Sequence, residues 1–485
     1  MIGDEVIKEI EEYETKSLVI SILNALKLLE FEERNFEKNW PFWNFFTLLK
    51  WSLIHSGKQK KLRLAHVQDV FYLAEIIEKI KGEHDFYPGK EHEFDLNKFM
   101  ALIAYHQSYF QLSVRKDSFA RQIIIYNQLT SKSKVENDFF QLTGLLLNEF
   151  IIASFILWAY TENSDSYGGL IRADLNDLIN MTVPGKADIF LNLISLDFQK
   201  APIIKEENKV KNPCLQVFEW PIFTRYPIFD TGIQKVIIHK KLLNYFLNFY
   251  TYDLLKNRLG EEFSDEFGRR LERYIELGLI ESGVSFKNES LLKKDLKRSS
   301  NCVDYIVNDN ILIECKAIEQ KPYPSIYPSS DVLVKWLKSS LIKAYCKQML
   351  SVANQLSREK EFFGIIVTHK ETHFGTGKDA WVSFLNEPAH DFAEKNNLDI
   401  NVLPPENLFF IDIAAWDKLM NLLKNKNLAL EDVLMRAKAN NSDPKTKKHY
   451  FSMHLDDYEM GCMNLDYINK GYKVFDIFEQ LQRDC

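Results

Sequence analysis

Three charged residues within an apolar stretch are the first indication of chemistry in this sequence. Two short apolar runs, Val303–Val307 and Ile311–Ala317, are separated by three turn-forming residues, a pattern that predicts a β-hairpin. The charged residues within these runs are Asp304, Glu314 and Lys316. A strand this apolar is expected to be buried, and a buried charge is costly unless it binds another group.

The predicted hairpin places these three charges on one face. Glu314 and Lys316 are two residues apart, so they point to the same side of their strand. A three-residue turn pairs Val307 with Ile311 and places Asp304 opposite Glu314, with Cβ atoms about 4.5–5.5 Å apart. Two carboxylates at this distance repel each other unless a divalent cation such as Mg²⁺ binds between them, together with substrate phosphates. The ammonium of Lys316 could then stabilise charge on a phosphate or orient a water molecule.

Length, charge and cysteine content limit the class of protein. A chain of 485 residues is expected to form roughly three domains. Because the net charge is −7, any positive surface for nucleic acid must be local. The six cysteines show neither a C-x-x-C pair nor zinc-site spacing, and the first residues lack a signal-peptide pattern. No apolar run reaches the ~20 residues that span a bilayer, so we expect a cytoplasmic protein without a membrane segment.

The spacing of apolar residues divides the chain into four predicted parts. Residues 1–165 show helical periodicity, which predicts a large all-α domain, and residues 166–249 form a mixed connecting region. Residues 250–430 follow the order helix, short strand, hairpin, helix, strand, strand, helix, which predicts an α/β core with a mixed sheet. Residues 431–485 predict a small helical appendage.

Element boundaries within the third part follow from local signals. Gly278 is expected to end the helix that precedes the hairpin, and Val284–Phe286 to form a short first strand. Residues 321–330 contain three prolines and predict a loop, and residues 331–356 predict one helix. Two further buried strands are predicted, Phe362–Thr368 and Asn407–Ile413.

These residues and their order resemble the PD-(D/E)XK superfamily of restriction-endonuclease-like nucleases. The motif of that superfamily places Asp on one strand and Glu/Asp-x-Lys on the next, which Asp304, Glu314 and Lys316 match. Val303 stands where the motif name has proline, a change that is common in the superfamily. The resemblance covers residues 250–425 and implies a restriction-endonuclease-like core.

The resemblance also implies two further site residues. Residues 268–272, Gly-Arg-Arg-Leu-Glu, match the G-x-x-F-E-like pattern of the superfamily's first helix, which makes Glu272 a third metal-binding carboxylate. A polar residue on the helix after the motif, often Gln with a nearby Tyr, implies a catalytic role for Gln348, beside Tyr345. The alternative for Glu272 is a solvated helix position paired with Arg269.

The implied activity is that of a metal-dependent endonuclease that hydrolyses phosphodiester bonds with Mg²⁺ or Mn²⁺, on DNA by default. Chains that combine a large helical part with a nuclease part resemble bacterial anti-phage (antiviral) defence effectors. Cleavage of RNA, for example tRNA, stays open because metal-assisted hydrolysis does not need the 2′-hydroxyl group. A nuclease-fold scaffold that binds a second subunit, or a homo-oligomer, through the helical N-terminal half also stays open.

A basic cluster just before the hairpin is expected at the rim of the site. Lysine and arginine there would hold the phosphate backbone of a nucleic acid, and a solvated loop is the alternative. An ordinary hairpin with surface charges likewise stays open as the alternative to a metal site. The cluster consists of Lys293, Lys294, Lys297 and Arg298.

Overall fold

The chain divides into two compact units. The first unit contains Met1–Phe119 and Ser133–Asn257, and the second contains Ala120–Lys132 and Arg258–Cys485. The boundary predicted near residue 250 lies close to the division at residue 257. The computed structural model describes residues 2–30, 41–82, 96–129, 134–163, 169–200, 203–204, 212–297, 301–318, 321–327, 329–356, 360–459 and 461–475.

The first unit is mainly helical, and its helices bury their apolar residues against one another. No single described helix is long and apolar enough to cross a bilayer; Lys134–Thr143 and Leu147–Glu162 pass that test only as a pair, bent by 62°. The helices are α1 (Ile2–Ile10), α2 (Thr15–Glu30), α3 (Phe42–His55), α4 (Val67–Lys81), α5 (Leu96–Gln111), α6 (Lys116–Ile123), α7 (Lys134–Thr143), α8 (Leu147–Asn163), α9 (Ala173–Thr182), α10 (Ala187–Ile194), α11 (Pro213–Gln216) and α12 (Lys240–Leu259).

A small mixed sheet accompanies these helices in the part predicted as a connecting region. Its strand order is β1-β4-β3-β2, with β2 parallel to β3 and the other pairs antiparallel. The division between the units falls within α6, at Ala120, and this helix continues in the second unit as a π-helix, Ile124–Gln128. The strands are β1 (Leu170–Ile171), β2 (Ser195–Asp197), β3 (Ile228–Asp230) and β4 (Lys235–Ile237).

The second unit is built around a five-stranded mixed sheet. The strand order is β5-β6-β7-β8-β9; the first three strands are antiparallel, and β7, β8 and β9 are parallel. Mixed sheets flanked by helices confirm the predicted α/β class. The strands are β5 (Phe286–Asn288), β6 (Tyr305–Val307), β7 (Ile311–Lys316), β8 (Phe363–Thr368) and β9 (Leu408–Asp412).

Helices cover both faces of this sheet. A π-helix, Lys343–Leu350, shares an apolar core with one face, and α13 and α20 contact the strands as well as each other. A second π-helix is Trp381–Leu385. The helices are α13 (Glu261–Ser282), α14 (Glu289–Asp295), α15 (Pro322–Ile326), α16 (Ser330–Leu337), α17 (Ser351–Ala353), α18 (Gly377–Ala380), α19 (Asn386–Asn396), α20 (Ile413–Lys426), α21 (Leu430–Ser442), α22 (Phe451–Leu455) and α23 (Asp466–Tyr472).

Several predicted boundaries in this unit were wrong. Helix α13 continues past Gly278, which is buried against α20, and ends at Gly283, whose φ of 73° is left-handed. The first strand lies two residues later than predicted. The proline-rich loop contains α15, because Pro322 fits the first turn of a helix. The single helix predicted for residues 331–356 is interrupted by a turn at residues 338–340.

Candidate active site

The hairpin brings Asp304 and Glu314 together across two strands. Val307 pairs with Ile311 in the antiparallel ladder, which confirms the predicted register. By continuation of this register, Asp304, which directly precedes β6, lies opposite Glu314 in β7. The Oδ2 atom of Asp304 accepts a hydrogen bond of 2.6 Å from the backbone nitrogen of Cys315. This bond holds the Asp304 carboxylate against the strand that carries Glu314.

Glu314 is the most deeply buried charged group of the hairpin. Its exposed fraction is 1 %, and Lys316, on the same face, donates from Nζ to Glu314 Oε1. The same Oε1 accepts a hydrogen bond of 2.5 Å from Gln348 Nε2, which also donates to the carbonyl of Cys302 at 3.1 Å. One carboxylate oxygen is therefore held by two donors, whereas Oε2 has no hydrogen-bond partner among the residues that the structure describes.

Burial and like charge shift the titration of this carboxylate pair. Burial, followed by the charge of Asp304, raises the pKa of Glu314 to about 8. Burial also raises the pKa of Asp304, against the lowering effects of the Cys315 backbone and Lys316. Burial by itself would lower the pKa of Lys316, but the Glu314 carboxylate outweighs it and the pKa is raised. Lys316 therefore stays an ammonium, and protons bind the Glu314 carboxylate near neutral pH.

Glu272 approaches this pair from helix α13. The hydroxyl of Tyr305 in β6 donates to the Glu272 carbonyl at 2.9 Å, which fixes this turn of the helix on the hairpin. Burial, followed by the charge of Asp304, raises the pKa of Glu272 to about 7, although Lys316 opposes the rise. Arg269 forms its ion pair with Glu266 at 3.1 Å, so it is not a salt-bridge partner of Glu272.

Gln348 and Tyr345 both lie on the π-helix Lys343–Leu350, but only Gln348 contacts the candidate site. Gln348 is buried, and its amide nitrogen contacts Glu314 as described above. The hydroxyl of Tyr345 instead donates to the carbonyl of Leu403 at 2.6 Å, within the apolar core. Tyr345 therefore anchors the helix and does not reach the carboxylates.

Two residues of the predicted basic cluster, Lys293 and Lys294, lie on α14, and Lys297 follows this helix. Lys293 forms an ion pair of 2.8 Å with Glu289, one helical turn earlier. This hydrogen bond is the main cause that raises the pKa of Lys293, and the charge of Asp304 adds to it. Lys294 and Lys297 are exposed, and Arg298 lies outside the described residues. The structure thus brings Lys293 into the electrostatic range of the carboxylates.

Glu289 is a residue near the site that the sequence did not reveal. Burial is the main cause of the raised pKa values of Asp304 and Glu272, and the charge of Glu289 contributes to both. In the sequence, Glu289 follows Asn288, the N-cap of α14, and an acidic residue there is typical of any helix start. Only the fold places it beside the other carboxylates.

The site offers buried oxygen atoms that suit a hard cation, but among the described residues it has fewer than three carboxylate, histidine or cysteine ligands for that cation. Glu314 Oε2 and Gln348 Oε1 are buried acceptors that find no hydrogen-bond partner in the described ranges, a state that an ion or a water molecule normally relieves. Among the residues described, no group of three or more His, Cys, Asp or Glu side chains could hold a metal ion. Glu272 therefore does not complete a three-carboxylate set, and a cation there would depend on Asp304 and Glu314 plus water and phosphate oxygens.

Comparisons with known proteins do not assign this chain to a family. A scan of protein-family models, a search of curated proteins and a search of solved structures each give no match to this chain.

Proposed function

We propose that the second unit is a metal-dependent nuclease of the PD-(D/E)XK type. The observation that carries this proposal is the pairing of Asp304 and Glu314 across the hairpin, with Lys316 on the same face. The order of α13, three antiparallel strands, a helix that carries Gln348 and the parallel strand β8 supports it. An ordinary surface hairpin would leave these charges in solvent, whereas Glu314 is buried.

Each residue has a distinct task in this proposal. Asp304 and Glu314 would hold Mg²⁺ or Mn²⁺, which when bound would polarise a phosphate and lower the pKa of a water molecule. Gln348 orients Glu314 by donating to Oε1 and leaves Oε2 free to bind. Lys316 is held beside the carboxylates as a point charge that can contact the scissile phosphate or the attacking water.

The test is cleavage by the full-length protein. Plasmid DNA and total RNA are incubated with Mg²⁺, with Mn²⁺ or with EDTA, and products are separated on gels. Asp304→Asn and Lys316→Ala should each lower cleavage by about 100-fold or more, since each removes a charge that acts in the transition state. Asp309→Asn, in the exposed turn of the same hairpin, is the matched control and should cut as wild type does. The proposal would be contradicted by cleavage in the presence of EDTA, or by an Asp304→Asn variant that cleaves as fast as wild type.

The choice between DNA and RNA depends on the same experiment. Nothing in the carboxylate pair requires a 2′-hydroxyl group, so DNA remains the default and RNA the alternative substrate. If only RNA is cut, with the same dependence on Asp304 and Lys316, the chemistry of the proposal stands and the substrate changes.

A second candidate function is a nuclease-fold scaffold that binds a partner. The observation in its favour is that the described residues contain no three-ligand group for a metal. A scaffold predicts that neither nucleic acid is cut with any divalent cation, and that Asp304→Asn and Lys316→Ala change only the stability of the fold. Light scattering on the purified chain, alone and with candidate partners, would then report the assembly.

A further inference from the structure

We infer that the segment between β7 and β8 binds nucleic acid with unpaired bases, through exposed lysines and a stacked tyrosine pair. This inference rests on the proposed nuclease function and adds the class of substrate. The segment, residues 321–350, follows β7, whose last residue is Lys316, and it includes Gln348, so one of its positions belongs to the candidate site. A nucleic acid bound along these residues would thus lie on the same segment of the chain as Gln348, which contacts Glu314.

The charge of this segment is opposite to that of the whole chain. Residues 321–350 contain five lysines and a single acidic residue, Asp331, although the chain carries a net charge of −7. All five lysines are exposed, and within the described part of the chain none of them forms an ion pair, unlike Lys293 with its partner Glu289. Unpaired lysines can neutralise phosphates without first breaking a salt bridge. They are Lys321, Lys335, Lys338, Lys343 and Lys347.

The lysines lie on elements that the fold holds in place. Lys335 is on α16 and Lys338 is the residue that caps its C-terminus, three positions later, and Lys343 and Lys347 are four apart on the π-helix. Residues at these spacings are neighbours on a helix surface. Leu333, Leu337 and Met349 bury the other side of these helices in the apolar core. The positive charges are thus presented on the outer side of rigid elements.

Tyr323 and Tyr327 supply aromatic surface within the same segment. Their ring centroids are 6.3 Å apart and their planes differ by 20°, so the two rings are nearly parallel. Tyr323 is 55 % exposed on the short helix α15, only seven residues after Lys316. An exposed, pre-oriented aromatic ring next to lysines is the combination with which proteins bind single strands, because any unpaired base can stack on the ring. A continuous duplex does not offer a base face to such a ring.

The test measures binding in EDTA, so that cleavage does not interfere. Fluorescence anisotropy follows the full-length protein with a labelled single-stranded DNA, a single-stranded RNA of the same sequence, and the DNA duplex. We expect both single strands to bind more tightly than the duplex. Tyr323→Ala should weaken single-strand binding roughly 5- to 100-fold, and Tyr323→Phe should retain it. Lys338→Gln and Lys343→Gln should each lower the slope of log affinity against log salt by about 0.7.

Two control variants test whether a loss of binding is specific to Tyr323 and to the lysines of this segment. Tyr72, on α4 of the first unit, is 54 % exposed, so Tyr72→Ala removes an equally exposed ring and should leave binding unchanged. Lys395→Gln removes an exposed lysine of α19 and should leave the salt slope unchanged. Equal affinity for duplex and single strand, no binding of any of the three probes, or wild-type binding by Tyr323→Ala would each overturn the inference. The proposed nuclease would survive that result if Asp304→Asn still abolished metal-dependent cutting, so the two failures are distinguishable.

Discussion

Glu314 and Gln348 are 34 residues apart in the chain, yet their side chains form a hydrogen bond of 2.5 Å between Oε1 and Nε2. The bond joins β7 to the π-helix Lys343–Leu350, and both residues are buried. Within the described part of the chain, the second oxygen of the Glu314 carboxylate and the amide oxygen of Gln348 have no hydrogen-bond partner. A purely structural pair of buried side chains would normally have all its polar atoms hydrogen-bonded, whereas each of these two residues has one acceptor atom without a donor among the described residues. We therefore regard this pair as the centre of the candidate site.

Removal of the Gln348 donor should shift the titration of Glu314. Its hydrogen bond lowers the pKa of Glu314 against the dominant effect of burial. We therefore expect Gln348→Met to raise that pKa and to move the acidic limb of the cleavage profile to higher pH. The variant should also lose about 1–3 kcal/mol in the free energy of unfolding, since a buried acceptor loses its donor. Gln355→Met, on an exposed turn, is the control, and an unchanged pH profile in Gln348→Met would contradict the assignment.

The contribution of Glu314 to the stability of the cation-free protein should fall as the pH rises from about 5 to 8. The unfolded chain releases the Glu314 proton near its usual pKa of 4.5, whereas the folded chain retains it up to about pH 8. The folded state binds more protons in this interval, so the free energy of unfolding decreases with pH, by up to about 1.4 kcal/mol per unit for this group. In urea titrations in EDTA, the free energy of unfolding of wild type minus that of Glu314→Gln should decrease as the pH rises, whereas the difference between wild type and Asp309→Asn should not change with pH.

Divalent cations should stabilise the protein more at pH 8 than at pH 6. Protons and a cation compete for the carboxylates of Asp304 and Glu314, and burial raises the pKa of both groups. The increase in Tm on adding Mg²⁺ should therefore be larger at the higher pH, and Asp304→Asn should reduce it at both. An increase that does not depend on pH or on Asp304 would indicate cation binding elsewhere.

Two glycines of α13 should respond in opposite directions to alanine. A Cβ atom at Gly278 would lie 2.7 Å from Trp416 Nε1 and 2.8 Å from Met420 Cγ on α20. Gly278→Ala should therefore lower the free energy of unfolding by about 1–3 kcal/mol through overpacking. A Cβ atom at Gly268 would have no neighbour within 4 Å, so Gly268→Ala should raise stability by about 0.5–1 kcal/mol through helix propensity. Denaturant unfolding of both variants tests the helix packing, and equal effects would contradict it.

The buried carboxylate of Asp417 should be essential to the second unit. It accepts hydrogen bonds from Tyr274 at 2.8 Å and Tyr467 at 2.9 Å, and pairs with Arg121 at 2.7 Å. Asp417→Asn would leave the Arg121 guanidinium buried without its counter-charge, which should cost about 3–5 kcal/mol. Asp391→Asn, at an exposed position of α19, should change stability by less than about 0.5 kcal/mol. A small effect of Asp417→Asn would show that this network is not what holds its elements together.

Local sequence patterns predicted the elements whose structure depends on residues that are neighbours in the chain. The three turn residues predicted the pairing of Val307 with Ile311, and the apolar runs predicted β8 and β9 to within one residue. Gly278 misled the prediction because a glycine ends a helix in one context and permits close helix packing in another. The sequence carries no local signal that distinguishes these two uses.

From the sequence alone came the α/β class, the hairpin and the three charges that it aligns, because turn chemistry and strand alternation act over a few residues. The tertiary structure decided which partners those charges meet. Gln348 reaches Glu314, Glu289 adds its charge to the carboxylates, and Tyr345 turns to Leu403 through contacts between residues far apart in the chain. It also assigned residues 120–132 to the second unit, where Arg121 pairs with Asp417. Such contacts depend on how whole elements pack, and no short window of sequence specifies that packing.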